Sequence, residues 1–330
     1  CVRNRTLARI KIDPSAPVKL EPVTLAKPWG REIWHSAIEA RGESAVRTAA
    51  GSVPLSRYLE AAGIKAPVIL LKVLDPHPTP ILGDLYFEVH ERKREVYIVT
   101  AIDRKAWPDG RGRIRLGMDQ ARRQSYGNDD AFRAAYLAAV RAYERERRAI
   151  DAGERPSGAA EQQRRAAMEA FTACAPLQAG DVVTVPPWTP HALQHGVRVV
   201  EFQTPTYERR VISFAQKVLT QGHWDSEDAI ARMSLDPPQQ TPFEPVAPGV
   251  ERIAAFDDFG VWRATLDSRR TAGLPADTPY ALCMAIGGAV QVGGLRLDAE
   301  EACLVPRASL QRTHLQGERG TTCVLAAPGL

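Results

Sequence analysis

Short apolar runs punctuated by Gly, Pro and Asp dominate two stretches of the chain. The first stretch holds runs at 67–74, 85–90, 95–101, 181–185 and 197–203. The second holds runs at 260–265, 280–286, 289–292, 302–305 and 322–326. Runs of this length and punctuation predict the strands of antiparallel barrels or sandwiches. Within the first stretch the texture changes. From Asn128 onward, Phe132, Ala135, Tyr136, Ala139, Val140 and Tyr143 recur at helical spacing. That pattern predicts an amphipathic helix with Asn128 as its cap. Residues 153–158 (GERPSG) end it, and 159–173 predict a second helix. The first β region therefore carries a helical insertion at about 117–173. A third helix is expected at 226–233 (SEDAIARM), capped by Ser226. The Pro-rich stretch 236–249 reads as a linker, dividing the chain into a domain at 1–235 and a second β domain at 250–330.

Composition adds little constraint. The 330 residues are 44% hydrophobic and 25% charged, with a net charge of +4. These are ordinary values for a globular protein, and the charge demands no nucleic-acid partner. The arginines gathered at 111–165 read as a solvated helical face. No apolar run approaches the roughly 20 residues of a membrane span. Residues 1–17 hold no apolar core of the kind a secretion signal needs. Cys1, Cys174, Cys283, Cys303 and Cys323 form an odd, scattered set without a CxxC pair. They are expected to be reduced thiols in a cytoplasmic protein, with Cys283, Cys303 and Cys323 packed in strand cores.

Candidate chemistry concentrates in a split set. Glu88-Val89-His90 and Glu95 lie close together, and His191 follows about a hundred residues later. Two carboxylates and two imidazoles suit a borderline dication such as zinc, with manganese or iron as alternatives. Glu88 and His90, two apart, share a strand face. A four-residue hairpin loop at 91–94 is expected to set His90 opposite Glu95, with Cβ atoms roughly 5 Å apart. Gly180, Pro186 and His191 match the second cupin motif, G-x5-P-x-G-x2-H, except that Trp188 replaces the inner Gly. E-x-H-x4-E stands in place of the first cupin motif. Glu300, Pro306 and Gln311 repeat the spacing of Gly180, Pro186 and His191 without the histidine, so a second, metal-free barrel is expected. His35, His77, His195, His223 and His314 lack comparable partners and are expected to be structural.

Further motifs narrow the resemblance. Lys27-Pro28-Trp29-Gly30, the strand-like 67–75, Lys93-Arg94-Glu95-Val96-Tyr97, residues 185–192 (VPPWTPHA) and Glu201-Phe202-Gln203 with Arg210 follow in order. In this order the chain resembles the type I mannose-6-phosphate isomerases, well over 20–235 and loosely beyond. The resemblance implies a mainly β fold of two cupin barrels, the first carrying the helical insertion. It implies one zinc ion held by Glu88, His90, Glu95 and His191. It makes Glu201 the acid/base, Arg210 the stabiliser of oxyanion charge, Lys93 a substrate or proton contact, and Trp29 the floor of the sugar pocket. Arg92, Arg94 and Lys217 are candidate phosphate anchors. The implied reaction interconverts mannose 6-phosphate and fructose 6-phosphate by enediol proton transfer. The expected partner is a small sugar phosphate, with no nucleic acid or membrane, and the chain is expected to be a monomer or homodimer.

Three departures stand out. Glu88 replaces the family's Gln, the loop between His90 and Lys93 is short, and Ser213 replaces an Asp. They leave open a non-catalytic cupin that binds a sugar or related metabolite, or an isomerase of another sugar. A metal-dependent oxygenase using iron or manganese is the third alternative.

Overall fold

The computed structural model describes residues 13–49, 51–219, 221–267, 272–275 and 277–329; Cys1 lies outside them. The architecture is mainly β, as the alternating runs predict. The chain divides into two units, each discontinuous in sequence.

One unit comprises residues 24–33 and 73–240. A six-stranded sheet runs in the order Val182–Val185, Glu95–Ile102, Val197–Gln203, Leu70–Pro76, Gly30–Trp34, Val23–Lys27. A five-stranded antiparallel sheet runs in the order Thr172–Leu177, Gly112–Met118, His191–Leu193, Phe87–Val89, Arg210–Ser213. Strand alternation sorts their faces. In Val197–Gln203, Val199, Glu201 and Gln203 share one face, and Val200 and Phe202 the other. Helices Gln120–Gln124, Asp129–Asp151 and Ala159–Glu169 interrupt the five-stranded sheet between Gly112–Met118 and Thr172–Leu177. Asn128 caps the long helix as expected, its side-chain oxygen accepting from the Ala131 N–H at 2.8 Å. Phe132, Tyr136, Val140 and Tyr143 are fully buried along its inner stripe. Some arginines of this region pair along the helix, Arg147 with Asp151 at 2.7 Å and Arg148 with Glu144 at 2.5 Å, while Arg141 reaches Glu227, Arg123 reaches Asp236 and Arg133 donates to the Met233 carbonyl.

The other unit comprises 13–23, 34–72 and 241–329 of the described residues. Its nine-stranded sheet is antiparallel throughout. A four-stranded sheet and a two-stranded one, Ile38–Glu39 with Gly42–Glu43, also belong to it among the described residues. Cys283, Cys303 and Cys323 are fully buried in its apolar core, as expected, while Cys174 of the first unit is exposed.

Three expectations need correction. The domain boundary is not a single cut near 236–249. Val18–Glu21 pairs with Ala302–Pro306 and with Ala45–Thr48, so the N-terminal segment completes the sheet of the C-terminal unit. The second helix stops at Glu169, because Thr172–Leu177 pairs with Gly112–Met118 and ladder hydrogen bonds override the helical preference of alanine. Ser226 is not a cap. Asp225 occupies that position, and the Ser226 hydroxyl donates to the Ile212 carbonyl at 2.7 Å.

Candidate metal centre

Glu88 sits at the middle of Phe87–Val89, flanked in register by His191 on one side and Val211 on the other. His191 thus reaches Glu88 as a direct cross-strand neighbour. His90 follows the strand's end, and its Nε2 lies 3.8 Å from Glu88 Oε1. One ligand atom each from Glu88, His90 and His191 fall within 4.8 Å of one another. Glu95 arrives differently from the expectation. It opens Glu95–Ile102 in the six-stranded sheet, whereas Phe87–Val89 belongs to the five-stranded sheet. The turn at 91–94 therefore crosses between sheets and closes no hairpin. His90 Nε2 still meets Glu95 Oε1 at 3.4 Å, and His191 Nε2 meets Glu95 Oε2 at 3.1 Å.

The surroundings orient these groups. The Thr189 carbonyl accepts from His191 Nδ1 at 2.9 Å, which leaves the Nε2 lone pair facing the carboxylates. The Tyr97 hydroxyl donates to Glu95 Oε2 at 2.7 Å, and Lys93 Nζ lies 2.5 Å from Glu95 Oε1. Burial opposes the charge on Glu95, yet Lys93, His90 and His191 hold its carboxyl well below the usual range. Burial also works against a charged His191, but Glu95 and Glu88 raise its pKa overall. At Glu88 burial prevails and the pKa rises, opposed by Lys93 and by Arg209, whose Nε lies 3.8 Å from Glu88 Oε2. Tyr97 is pushed well up by burial and by the Glu95 and Glu201 charges, so it stays a neutral donor.

Two carboxylates and two imidazoles, three of them buried and Glu88 half-buried, are of the donor types that suit a tetrahedral borderline dication. Such an ion would make the set formally neutral.

The remaining sequence-predicted residues fall in different places. Glu201 pairs in register with Tyr97, one alternation beyond the Glu95–Gln203 pair, and is 1% exposed. Lys93 sits in the crossing turn and is buried against Glu95. Arg210 is held by Asp228 and Glu91, both at 2.7 Å, and by Glu208 at 3.4 Å, with its guanidinium 5.1 Å over the Trp188 ring. Trp29 is 1% exposed and stands in the apolar cluster, a position poor for a pocket floor. His195, expected to be structural, bonds Asp84 at 2.7 Å and stacks on Trp107.

Sequence reasoning missed Tyr97, Arg209, Glu208 and Gln203 as neighbours of the centre. Alternation from Glu95 and from Glu201 was the available signal for Tyr97 and Gln203. Glu208, which accepts from the Glu91 and Arg92 backbone N–H groups, carried none.

In overall architecture the chain is similar to the mannose 6-phosphate isomerase of Bacillus subtilis, with a TM-score of 0.66 over 94% of this chain and 99% of that one. It has the fold of the mannose-6-phosphate isomerases. A variant of phosphomannose isomerase from Salmonella typhimurium superposes with a TM-score of 0.70, over 95% of this chain and all of that one. A zinc-bound mannose 6-phosphate isomerase gives 0.69 over the same shares. Identities are 15%, 13% and 13%, so the likeness is one of fold. No family model matches the chain, and no curated protein matches it in sequence. Among the described residues, no helix is long and apolar enough to cross a membrane.

Proposed function

We propose that this chain is a divalent-metal-dependent aldose–ketose isomerase that interconverts mannose 6-phosphate and fructose 6-phosphate. The observation that carries the proposal is the convergence of Glu88, His90, Glu95 and His191 inside a fold shared with zinc-bound mannose 6-phosphate isomerase. These four residues would hold zinc, with manganese or iron as alternatives. When bound, the ion supplies electrostatic stabilisation to the oxygens of the open-chain sugar.

The rest of the chemistry falls to the chain. Isomerisation moves one proton between C1 and C2 through an enediol, so one base must reach both carbons. Glu201 is the proposed base, a buried carboxylate on the inward face of its strand. Lys93 is the proposed contact to the sugar oxygens, and Glu95 fixes its ammonium. Arg210 would stabilise negative charge on the sugar oxygens. Its pairing with three carboxylates favours one second reading, a protein that binds the sugar phosphate without isomerising it.

One assay separates the two. Zinc-loaded protein is mixed with mannose 6-phosphate and fructose 6-phosphate is measured, with and without chelator. Turnover that chelation stops and Glu201→Gln removes supports the isomerase. Binding with no turnover selects the second reading, and neither binding nor turnover rejects both.

A further inference from the structure

Gln203 has no role in the chemistry so far, yet its position is unusual. It stands opposite Glu95 in register, on the same inward face as Glu201. It is 4% exposed. Its Nε2 donates to the Thr204 carbonyl at 3.2 Å. Thr204 is itself pinned to the metal-centre turn, its hydroxyl accepting from the Arg94 N–H at 3.1 Å and its own N–H donating to the Arg94 carbonyl at 3.0 Å. One edge of the amide is thereby fixed. The other edge, Oε1, is buried and accepts no hydrogen bond.

A buried acceptor left without a donor is costly, and native interiors keep few of them. An apolar side chain would fit the alternation, as Val199 does two pairs further along the same face. The neighbours on that face are the centre's own residues. The carboxylate of Glu95 only accepts, and the nearby donors, Lys93 Nζ and the Tyr97 hydroxyl, are directed to Glu95 Oε1 and Oε2 and not to Gln203. The open edge of the amide is therefore placed to accept from a hydroxyl of a molecule bound at this face.

We propose that Gln203 Oε1 is a ligand-facing acceptor that takes a hydrogen bond from a hydroxyl of the polyol bound at the metal centre. The polyol identity rests on the sugar-binding reading above; the acceptor role does not. Such a residue lowers the stability of the protein alone and raises the affinity for its ligand, a trade common at binding sites.

The test uses the full zinc-loaded chain, with wild type compared to Gln203→Leu and Gln203→Asn. Zinc and mannose 6-phosphate affinities come from calorimetry, and the melting midpoint is measured without sugar. For Gln203→Leu, we expect an unchanged or raised midpoint, zinc affinity within about twofold, and mannose 6-phosphate affinity about tenfold weaker. Gln203→Asn keeps the amide with shorter reach and covers a leucine variant that does not fold. It too is expected to weaken sugar binding and leave zinc affinity alone. A lowered midpoint with unchanged sugar affinity overturns the proposal in favour of a structural amide. A loss of zinc affinity beyond tenfold overturns it in favour of a ligand-positioning role. If the wild type binds no mannose 6-phosphate, the sugar reading fails separately. A raised midpoint in Gln203→Leu then still supports a ligand-facing acceptor, and a lowered one overturns it.

Discussion

Trp188 holds a backbone conformation that glycine adopts without strain. Its φ is +60°, and it occupies the position where the second cupin motif places its inner glycine. A side chain in the left-handed region costs about 1–2 kcal/mol. Several contacts offset that cost. The Trp188 N–H donates to the His90 carbonyl at 2.6 Å, its carbonyl accepts from the Ser234 N–H at 2.8 Å, and its ring lies under Arg210 and Arg232. The replacement thus keeps the turn and adds a platform beside His90 and beneath Arg210. Once the ring is removed, only the backbone preference remains. Trp188→Gly should therefore be more stable than Trp188→Ala by about 1 kcal/mol in urea unfolding; an alanine variant of equal or greater stability would refute this. His35 supports a second prediction at this scale. Burial lowers its pKa from 6.5 to about 4, against the weaker upward pull of Glu300 and Glu301. The unfolded chain then binds the additional proton between those values. Stability is full above pH 6.5 and falls as pH drops toward 4. The difference of 2.5 pH units corresponds to about 3 kcal/mol. Denaturant titrations at pH 7, 5 and 4 should show His35→Gln losing that much less than wild type across the window. Parallel losses would mean that His35 is not buried neutral.

At the scale of elements, legibility followed locality. Val197–Gln203 has the bounds its sequence pattern predicts, and the long helix starts at its Asn128 cap. Both signals lie within a few residues of the structure they specify. Asn128→Ala should accordingly cost about 1 kcal/mol, read as a shift in the denaturation midpoint. No shift would mean that tertiary packing alone sets the helix start. Pairing between distant strands leaves no such mark. Nothing in Val18–Glu21 announces Ala302–Pro306 as its neighbour. The same gap explains the misread turn at 91–94. Four polar residues between two apolar runs look identical whether the strands pair with each other or cross between sheets. The four acid and imidazole groups were legible by residue type and spacing. Their assembly was not, because Glu88 meets His191 within one sheet and Glu95 meets both histidines from another. Arg210 stood out in the motif, but its carboxylate partners Glu91, Glu208 and Asp228 are spread over elements that only the fold collects.

For the whole molecule, the location of the centre makes a prediction about where metal acts. Glu88, His90, Glu95 and His191 all belong to the unit of residues 24–33 and 73–240. The other unit carries a rival set of soft ligands in Cys283, Cys303 and Cys323, all on one buried face. Thiolates compete well for zinc, so residue type alone does not exclude them. Geometry favours the carboxylate–imidazole set, because Glu88, His90 and His191 are the group among the described residues whose ligand atoms all lie within 4.8 Å of one another, and Glu95 contacts both histidines. Binding to the folded state stabilises by linkage, by about 2.7 kcal/mol at a hundredfold excess over the dissociation constant. That gain should appear as slowed amide exchange in the strands around the ligands, because local opening there releases the ion. Exchange measured by mass spectrometry, with zinc and then with chelator, should show protection across Phe87–Val89, Glu95–Ile102, His191–Leu193 and Val197–Gln203. Glu88→Ala and His191→Ala should abolish it. Zinc protection centred instead on Tyr280–Gly287, Ala302–Pro306 and Thr322–Pro328, and surviving both substitutions, would move the metal to the thiols and remove the basis for an isomerase.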